Sequence, residues 1–417
     1  MKRTIVHADL NHCYAQIEEM KYPALRNVPM AVGGHEESRH GIILAKNDKA
    51  KEYGIKTAET LRDAYRKCPE LLIIHPNYGD YMYYTEKVKD IYREYSDQVE
   101  SFGLDEAWID LTHTTSLFGD PLLTARTMQE RVYNELGLSV SMGISFNKVF
   151  AKLGSDLDKR KGFTVISEDN FREVTENLSV DSLIFIGGAT TRKLGELGIT
   201  TIGELRNADP VLLKRRFGKN GLLIWHYACG HEDSPVKRCG ESRERKSISH
   251  GITAVRDLKN YEDLHMILIV LCEAIAAKLR QEELEGQVVS LYLRDNELYA
   301  CSMQKKIAHP TDLAEEIVKN CELLLKQRYP ATCFPEKPLR SISVGVSSLH
   351  KKDDLYLCDL CGVEEKRKRE NVLESTMEVI RDHYGPEKIC RLAVMMDRKL
   401  TDFHPKEDHL IHPESWL

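Results

Sequence analysis

The chain has 417 residues, 42% of them hydrophobic and 30% charged, with a formal net charge of -6. That length exceeds what one hydrophobic core supports, and the composition excludes disordered and fibrous classes, so several globular domains are expected. No run could span a membrane, and the opening MKRTIVHA leads into a strand-like segment without a signal-type apolar stretch, so a cytoplasmic location is expected. The 11 Cys are scattered, which fits reduced thiols better than a disulfide framework.

In chain order, strand-like and amphipathic helix-like runs alternate through residue 167. Thr4–Leu10 predicts a buried strand and Cys13–Met20 the helix it feeds. Trp108–Leu111 and Leu138–Ile144 predict further strands, with a helix over Leu122–Leu136 between them. Residues 30–75 interrupt this mixed α+β pattern with a small, charged insertion. From Val180 to about Gly230 the pattern becomes short helices with Gly-rich turns, and a basic stretch around 237–246 predicts a linker. Residues 247–348 return to strands and long helices. The tail from Lys351 is charged, with a helix predicted near Arg369–His383. Residues 206–256 hold eleven Lys or Arg against five Asp or Glu, an excess that predicts a nucleic-acid contact region inside an acidic protein.

The chemistry concentrates in three carboxylates. Asp9 ends the first apolar strand, and Asp105-Glu106 lies in SFGLDEAWID at 101–110. Adjacent strand residues point to opposite faces, so Asp105 and Glu106 reach one site only at a turn or strand end, which Gly103 makes available. Carboxylates held a few ångströms apart raise one another's pKa unless cations neutralise them. Such a set of hard oxygens suits two Mg²⁺ roughly 3.5 to 4 Å apart, aligning a hydroxyl with an α-phosphate.

HADLNHCYAQIE at 7–18 resembles the opening palm motif of Y-family translesion DNA polymerases. LDEAWIDL at 104–111 resembles their second carboxylate motif, and GISFNKVFAKLGSD at 143–156, followed by Lys159, their third. The resemblance covers roughly residues 1–350. It implies an α+β right-hand enzyme. Residues 1–29 and 76–167 would form the palm, 30–75 the fingers and 168–234 a helix-hairpin-helix thumb. A linker at 235–246, a little finger at 247–350 and a tail at 351–417 would follow. The implied function is template-dependent extension of a primer 3'-hydroxyl with dNTPs, at low fidelity and without proofreading. The implied roles are Asp9, Asp105 and Glu106 as catalytic metal ligands with the Leu10 carbonyl beside them, Tyr14 as steric gate against ribonucleotides, and Lys51 and Lys159 on the triphosphate. DNA contacts would come from Gly187 and Gly188 in the thumb and from Lys246, Ser247, Ser249 and Lys305 in the little finger. Asp110 is expected to support the strand turn rather than bind metal.

Several positions depart from the family pattern. The fingers usually carry a Tyr and an Arg, three apart, on the β- and γ-phosphates; Asp48 and Lys51 stand there, with Lys46 and Lys49 available to take over. Asn11 and His12 replace an Asp and an aromatic, and Phe185 stands where a hairpin Gly is common. These departures leave a second reading, a DNA-binding repair accessory protein with an impaired polymerase site. A nucleotidyl cyclase on a similar palm fits the carboxylates but not the later segments. The remaining expected partner is the sliding clamp, through a degenerate peptide at 354–358. Cys358 and Cys361 alternatively make half a zinc site without a second pair. A bacterial, monomeric protein acting at the nucleoid is expected.

Overall fold

Six successive buried residues, Ile5–Leu10, make β1 the middle strand of a five-stranded sheet. This arrangement is seen in a computed structural model that describes residues 3–34, 41–159, 162–241, 244–334, 336–352, 363–403 and 405. The order is β5 (Val99–Phe102), β6 (Glu106–Asp110), β1, β7 (Val140–Ser145), β8 (Phe163–Ile166). β1 is antiparallel to β6 and β7, while β7 and β8 run parallel. A strand buried on both faces reads as an unbroken apolar run, which is why β1 and β7 show little alternation. Val6, Ala8 and Leu10 pack with Tyr81, Val88, Ile91, Met128 and Val132 from the helices Tyr78–Arg93 and Pro121–Leu136. The other face of β1, carrying Ile5, His7 and Asp9, meets the helix Lys148–Leu157 through Ala151 and Ser155. Gly143 permits that approach: a methyl group there would stand 2.0 Å from the Ala151 carbonyl oxygen.

A second, three-stranded sheet forms from residues 30–74 in the order β3 (Ile43–Lys46), β2 (Met30–Gly33), β4 (Leu72–Ile74), with the helices Asp48–Glu52 and Leu61–Lys67. It has its own small core of Ala31, Ile43, Ala50, Ile55 and Leu61, as a separate insertion requires. Residues 171–228 form the expected short helices around Val180, Leu183, Ile186, Leu194 and Ile202. Thr201 and Glu204 make a reciprocal capping box at one of them. These segments, up to Glu241, belong to one compact unit.

The described residues from 244 onward form a second unit. Four long antiparallel strands lie in the order β11 (Ala300–Thr311), β10 (Leu284–Asp295), β12 (Leu339–Lys351), β9 (Ser247–Leu258). The helices Tyr261–Gln281 and Ala314–Arg328 pack on one face through Leu268, Leu271, Ile317 and Cys321 against Val289, Leu291 and Val344. The other face carries serine-rich cross-strand rows, Ser247–Ser347–Val288–Lys306 and Ser249–Gly345–Ser290–Gln304. Beyond residue 362 the helix is longer than expected, Val363–Tyr384. It is docked on this unit: buried Glu374 accepts from the Ala314 N–H at 3.0 Å and pairs with Arg280 at 2.9 Å and Arg391 at 2.9 Å. Its carboxylate thus caps the N-terminus of Ala314–Arg328, whose own Leu313 cannot. The clamp-type peptide at 354–358 and Cys358 and Cys361 lie outside the described residues. Among the described residues, no helix is long and apolar enough to cross a membrane.

Candidate active site

The antiparallel register of β1 and β6 sets Asp9 directly opposite Glu106. Asp105 sits in the three-residue turn between β5 and β6, where Phe102 pairs with Glu106 and Gly103 adopts φ 72°. Because Asp105 is outside the pleat, the face alternation that would separate it from Glu106 does not apply. The Leu10 N–H donates to the Asp105 carbonyl at 3.1 Å, so the two carboxylate segments are joined through the backbone.

The helix Lys148–Leu157 brings Lys152 to this corner, and the turn just beyond it brings Lys159. Lys152 Nζ lies 2.5 Å from Glu106 Oε2 and 3.6 Å from Asp156. Lys159 bridges Asp156, at 2.6 Å, and Asp9. The result is an alternating ladder, Glu106–Lys152–Asp156–Lys159–Asp9, built on positions 152 and 156 of the helix and on Lys159 in the turn that follows it. Below it, the fully buried His7 ring donates from Nδ1 to Ser155 Oγ at 2.8 Å, since the Ser155 hydroxyl itself donates to the Lys152 carbonyl. His7 Nε2 lies 3.1 Å from Glu106 Oε2 but is not aligned for a hydrogen bond.

Burial and mutual repulsion govern the acids. Burial, then Asp9 and Glu106, push Asp105 up to about 6. Burial and Glu106 push Asp9 above the ordinary carboxyl range against Lys159. Burial acts to raise Glu106 too, but the Lys152 ammonium in contact with its carboxylate outweighs it and holds the carboxyl below its ordinary range. Burial keeps the His7 imidazole low and therefore neutral.

Tyr14 follows Asp9 on the first helix, its ring stacked on Tyr81 at 4.5 Å and 9° and edge-on to Tyr78 at 6.1 Å. The Tyr81 hydroxyl donates to Glu18 at 2.7 Å, which fixes the platform. Asn11 turns away from the acids: its side chain accepts from Ser141 at 2.9 Å and donates to Ser139 at 3.2 Å. In the fingers, Lys51 pairs with Asp48 at 2.8 Å. Asp110 accepts the Thr112 N–H at 2.8 Å, the turn-supporting contact expected of it.

The impB/mucB/samB family pattern matches residues 8–156, and its C-terminal domain pattern matches residues 245–356. The chain belongs to this family, the Y-family DNA polymerases. It is 39% identical to the DNA polymerase IV of Acetivibrio thermocellus, covering 96% of this chain and 100% of that protein. It is 33% identical to the DNA polymerase IV of Pelotomaculum thermopropionicum, covering 94% and 95% respectively. The fold matches a solved Y-family DNA polymerase chimera with a TM-score of 0.71 at 21% identity, over 83% of this chain and 98% of that one.

Within the Y-family frame, Asp9, Asp105, Glu106 and Lys159 converge, and Tyr14 stands beside them. Gly187 and Gly188 open the helix Gly188–Gly195 with solvent-exposed backbone and nothing within 4 Å of where a Cβ would be. Phe185 keeps the left-handed φ of 70° that a hairpin Gly would adopt. Ser247 and Ser249 lie on the open face of the second unit, just after Lys246. Lys305 pairs with Val289 and so belongs to the opposite side; Lys306, opposite Val288, shares the face with the serines. His7, Lys152, Ser155 and Asp156 were not singled out from sequence. The 152–156–159 spacing is the one signal that could have found part of this set. The donor set fits a divalent cation, being hard oxygens, buried and mutually repelling, with Lys152 and Lys159 standing in as cations. Among the described residues, no three ligands already stand at metal spacing.

Proposed function

We propose that this chain is a template-dependent DNA polymerase of the lesion-bypass class, requiring two Mg²⁺ and acting on primer-template DNA in the bacterial cytoplasm. The observation that carries the reading is the Asp9–Glu106 register with Asp105 at the adjoining hairpin tip, on a chain of this family. The primer 3'-oxygen forms a bond to the α-phosphorus while the bond to the bridging oxygen breaks and pyrophosphate leaves. When bound, divalent ions acidify the attacking hydroxyl and neutralise charge on the phosphoryl oxygens.

The protein's own residues position and neutralise. Asp9, Asp105 and Glu106 would hold the ions, with the Leu10 carbonyl beside them. Lys159 would exchange Asp9 for a phosphate oxygen, and Lys51 would meet the distal phosphates from the fingers. Tyr14 would lie beneath the sugar, where a 2'-hydroxyl meets its ring; stacking on Tyr81 keeps the ring from yielding. Gly187 and Gly188 would offer backbone N–H groups to a DNA phosphate. The serine rows and Lys306 would follow the backbone without reading bases.

Primer extension on an undamaged template with Mg²⁺ and four dNTPs tests the reading. Extension by the wild type that disappears in the Asp105→Asn, Glu106→Gln double variant is the expected result. Extension that survives in the variant, or is absent from the wild type despite primer-template binding, overturns it.

A further inference from the structure

The helix Tyr78–Arg93 packs on the five-stranded sheet through Tyr81, Val88 and Ile91, and it carries a lysine into that packing. Lys89 is only 7% exposed. Among the described residues no hydrogen bond or ion pair reaches its ammonium. The side chain instead lines an open cavity of about 560 Å³, whose wall includes Met82, Thr85, Glu86, Asp90 and Leu104. Leu104 immediately precedes Asp105 in the β5–β6 turn, so the cavity adjoins the carboxylate corner.

The acids at this cavity are engaged by other cations. Glu86 and Asp90 both accept from Arg93, at 2.5 Å and 2.9 Å, and Lys87 lies 3.4 Å from Asp90. Glu86 and Asp105 attract the Lys89 ammonium and Arg93 repels it, none of them in contact with it. Burial outweighs all three and presses the ammonium below the ordinary lysine range. A lysine stem buried among apolar neighbours, with its head opening into a cavity and touching no anion, costs the free protein stability. An anion that enters the cavity offsets that cost.

We propose that the cavity at Lys89 is a phosphate-binding site beside the carboxylate corner, with Lys89 as its cation. A point-charge ammonium suits a phosphate oxygen. The reaction brings two sources of phosphate to this corner, the primer backbone behind the 3'-hydroxyl and the pyrophosphate that leaves. Those sources rest on the polymerase reading above. Because Arg93 and Lys87 engage Glu86 and Asp90, neither acid takes Lys89 from the ligand.

Fluorescence anisotropy of a labelled primer-template with the wild type, Lys89→Met, Lys89→Arg and Lys87→Met tests the site without requiring catalysis. Lys89→Met keeps the apolar stem and removes the charge. If a backbone phosphate occupies the site, Lys89→Met weakens binding about fivefold and lowers the slope of log Kd against log salt by about 0.9, the loss of one phosphate contact. Lys89→Arg then recovers most of both, and Lys87→Met, whose lysine Asp90 already holds, keeps the wild-type slope. A single methylphosphonate in the primer should weaken binding by the wild type but not by Lys89→Met. If pyrophosphate is the ligand, affinity and slope are unchanged, and sodium pyrophosphate in EDTA raises the Tm of the wild type but not of Lys89→Met. Without ligand, the Tm of Lys89→Met should equal or exceed that of the wild type, because an unpaired buried charge is gone. Equal DNA affinity, equal salt slope and an equal pyrophosphate shift in Lys89→Met and the wild type overturn the proposal, as does weaker DNA binding with an unchanged slope and a lowered Tm. If the wild type does not extend primers but keeps the Lys89-dependent slope or shift, the polymerase reading fails and the phosphate site stands.

Discussion

Asp105→Asn is expected to stabilise the metal-free protein while abolishing primer extension. Asp105 is half-buried at the β5–β6 turn beside Asp9 and Glu106, and its carboxyl rises from an ordinary 3.8 to about 6. The folded state therefore holds this proton more tightly than the unfolded chain. Its favourable contribution is fully present below about pH 4 and is lost as pH rises toward 6. The displacement corresponds to a ceiling of about 3 kcal/mol, all of it missing at neutral pH. Asn has nearly the same shape and no charge, so in EDTA at pH 7.5 the variant gains about 2 to 3 kcal/mol. At pH 4, where Asp105 is itself neutral, the gain shrinks toward zero. Urea unfolding of both proteins at the two pH values measures the difference, and added Mg²⁺ should stabilise the wild type more than the variant. A variant no more stable than the wild type at pH 7.5, or a gain that does not shrink in acid, would refute the electrostatic account of the cage.

Three further substitutions probe other parts of the molecule. Lys148→Met strands Glu100, its 2.5 Å partner in a pair only 3% and 5% exposed, and is expected to cost about 3 to 5 kcal/mol in thermal or urea unfolding; adding Glu100→Gln should restore most of it. Tyr14→Ala opens the platform beside Tyr81 and should raise ribonucleotide incorporation by at least tenfold relative to dNTPs, an estimate of about 1.4 kcal/mol of discrimination; an unchanged ratio in single-nucleotide assays removes Tyr14 from sugar selection. Glu374→Ala uncaps Ala314–Arg328 and leaves Arg280 one partner short, so the second unit should lose about 2 to 4 kcal/mol, read as a lowered Tm.

The carboxylates were legible because each breaks its local pattern. Asp9 ends an otherwise apolar strand, and Asp105 with Glu106 follows a Gly inside a strand-turn-strand signal. What surrounds them was not legible, because the partners are distant in sequence: His7 meets Ser155 across 148 residues, and Lys159 meets Asp9 across 150. Sheet order was hidden for the same reason, since β1 pairs with strands about 100 and 140 residues away. The little-finger face shows a subtler loss. The polar alternation around residues 301–306 is visible, yet which set faces outward depends on the register, and the regular pairing of Val288–Arg294 with Ala300–Lys306 puts Lys306 rather than Lys305 beside the serines. The C-terminal helix was expected near Arg369–His383 in a charged tail, but its docking was not legible because charge normally signals exposure. Here Glu374 is buried against Arg280 and Arg391, so charges of the tail are among the groups that dock it.

On the proposed reading, the ladder from Glu106 to Asp9 explains how three acids that would bind cations can fold before any arrive. Three acids gathered in one corner would repel one another, and Lys152, on a helix that Gly143 admits against the sheet, and Lys159, just past that helix, supply the missing charge. Asp156 touches both ammonium groups, so each lysine would keep one carboxylate partner if a metal claimed Glu106 or Asp9. On the proposed reading this matters for Lys159 above all. A lysine tied only to Asp9 would be set loose when the ion arrives, whereas one also tied to Asp156 stays close enough to meet the triphosphate. Two lysines and one additional acid thus serve the metal-free fold and the loaded site in turn. The electrostatic cost of gathering Asp9, Asp105 and Glu106 falls chiefly on Asp105, the one acid of the three that the ladder does not reach.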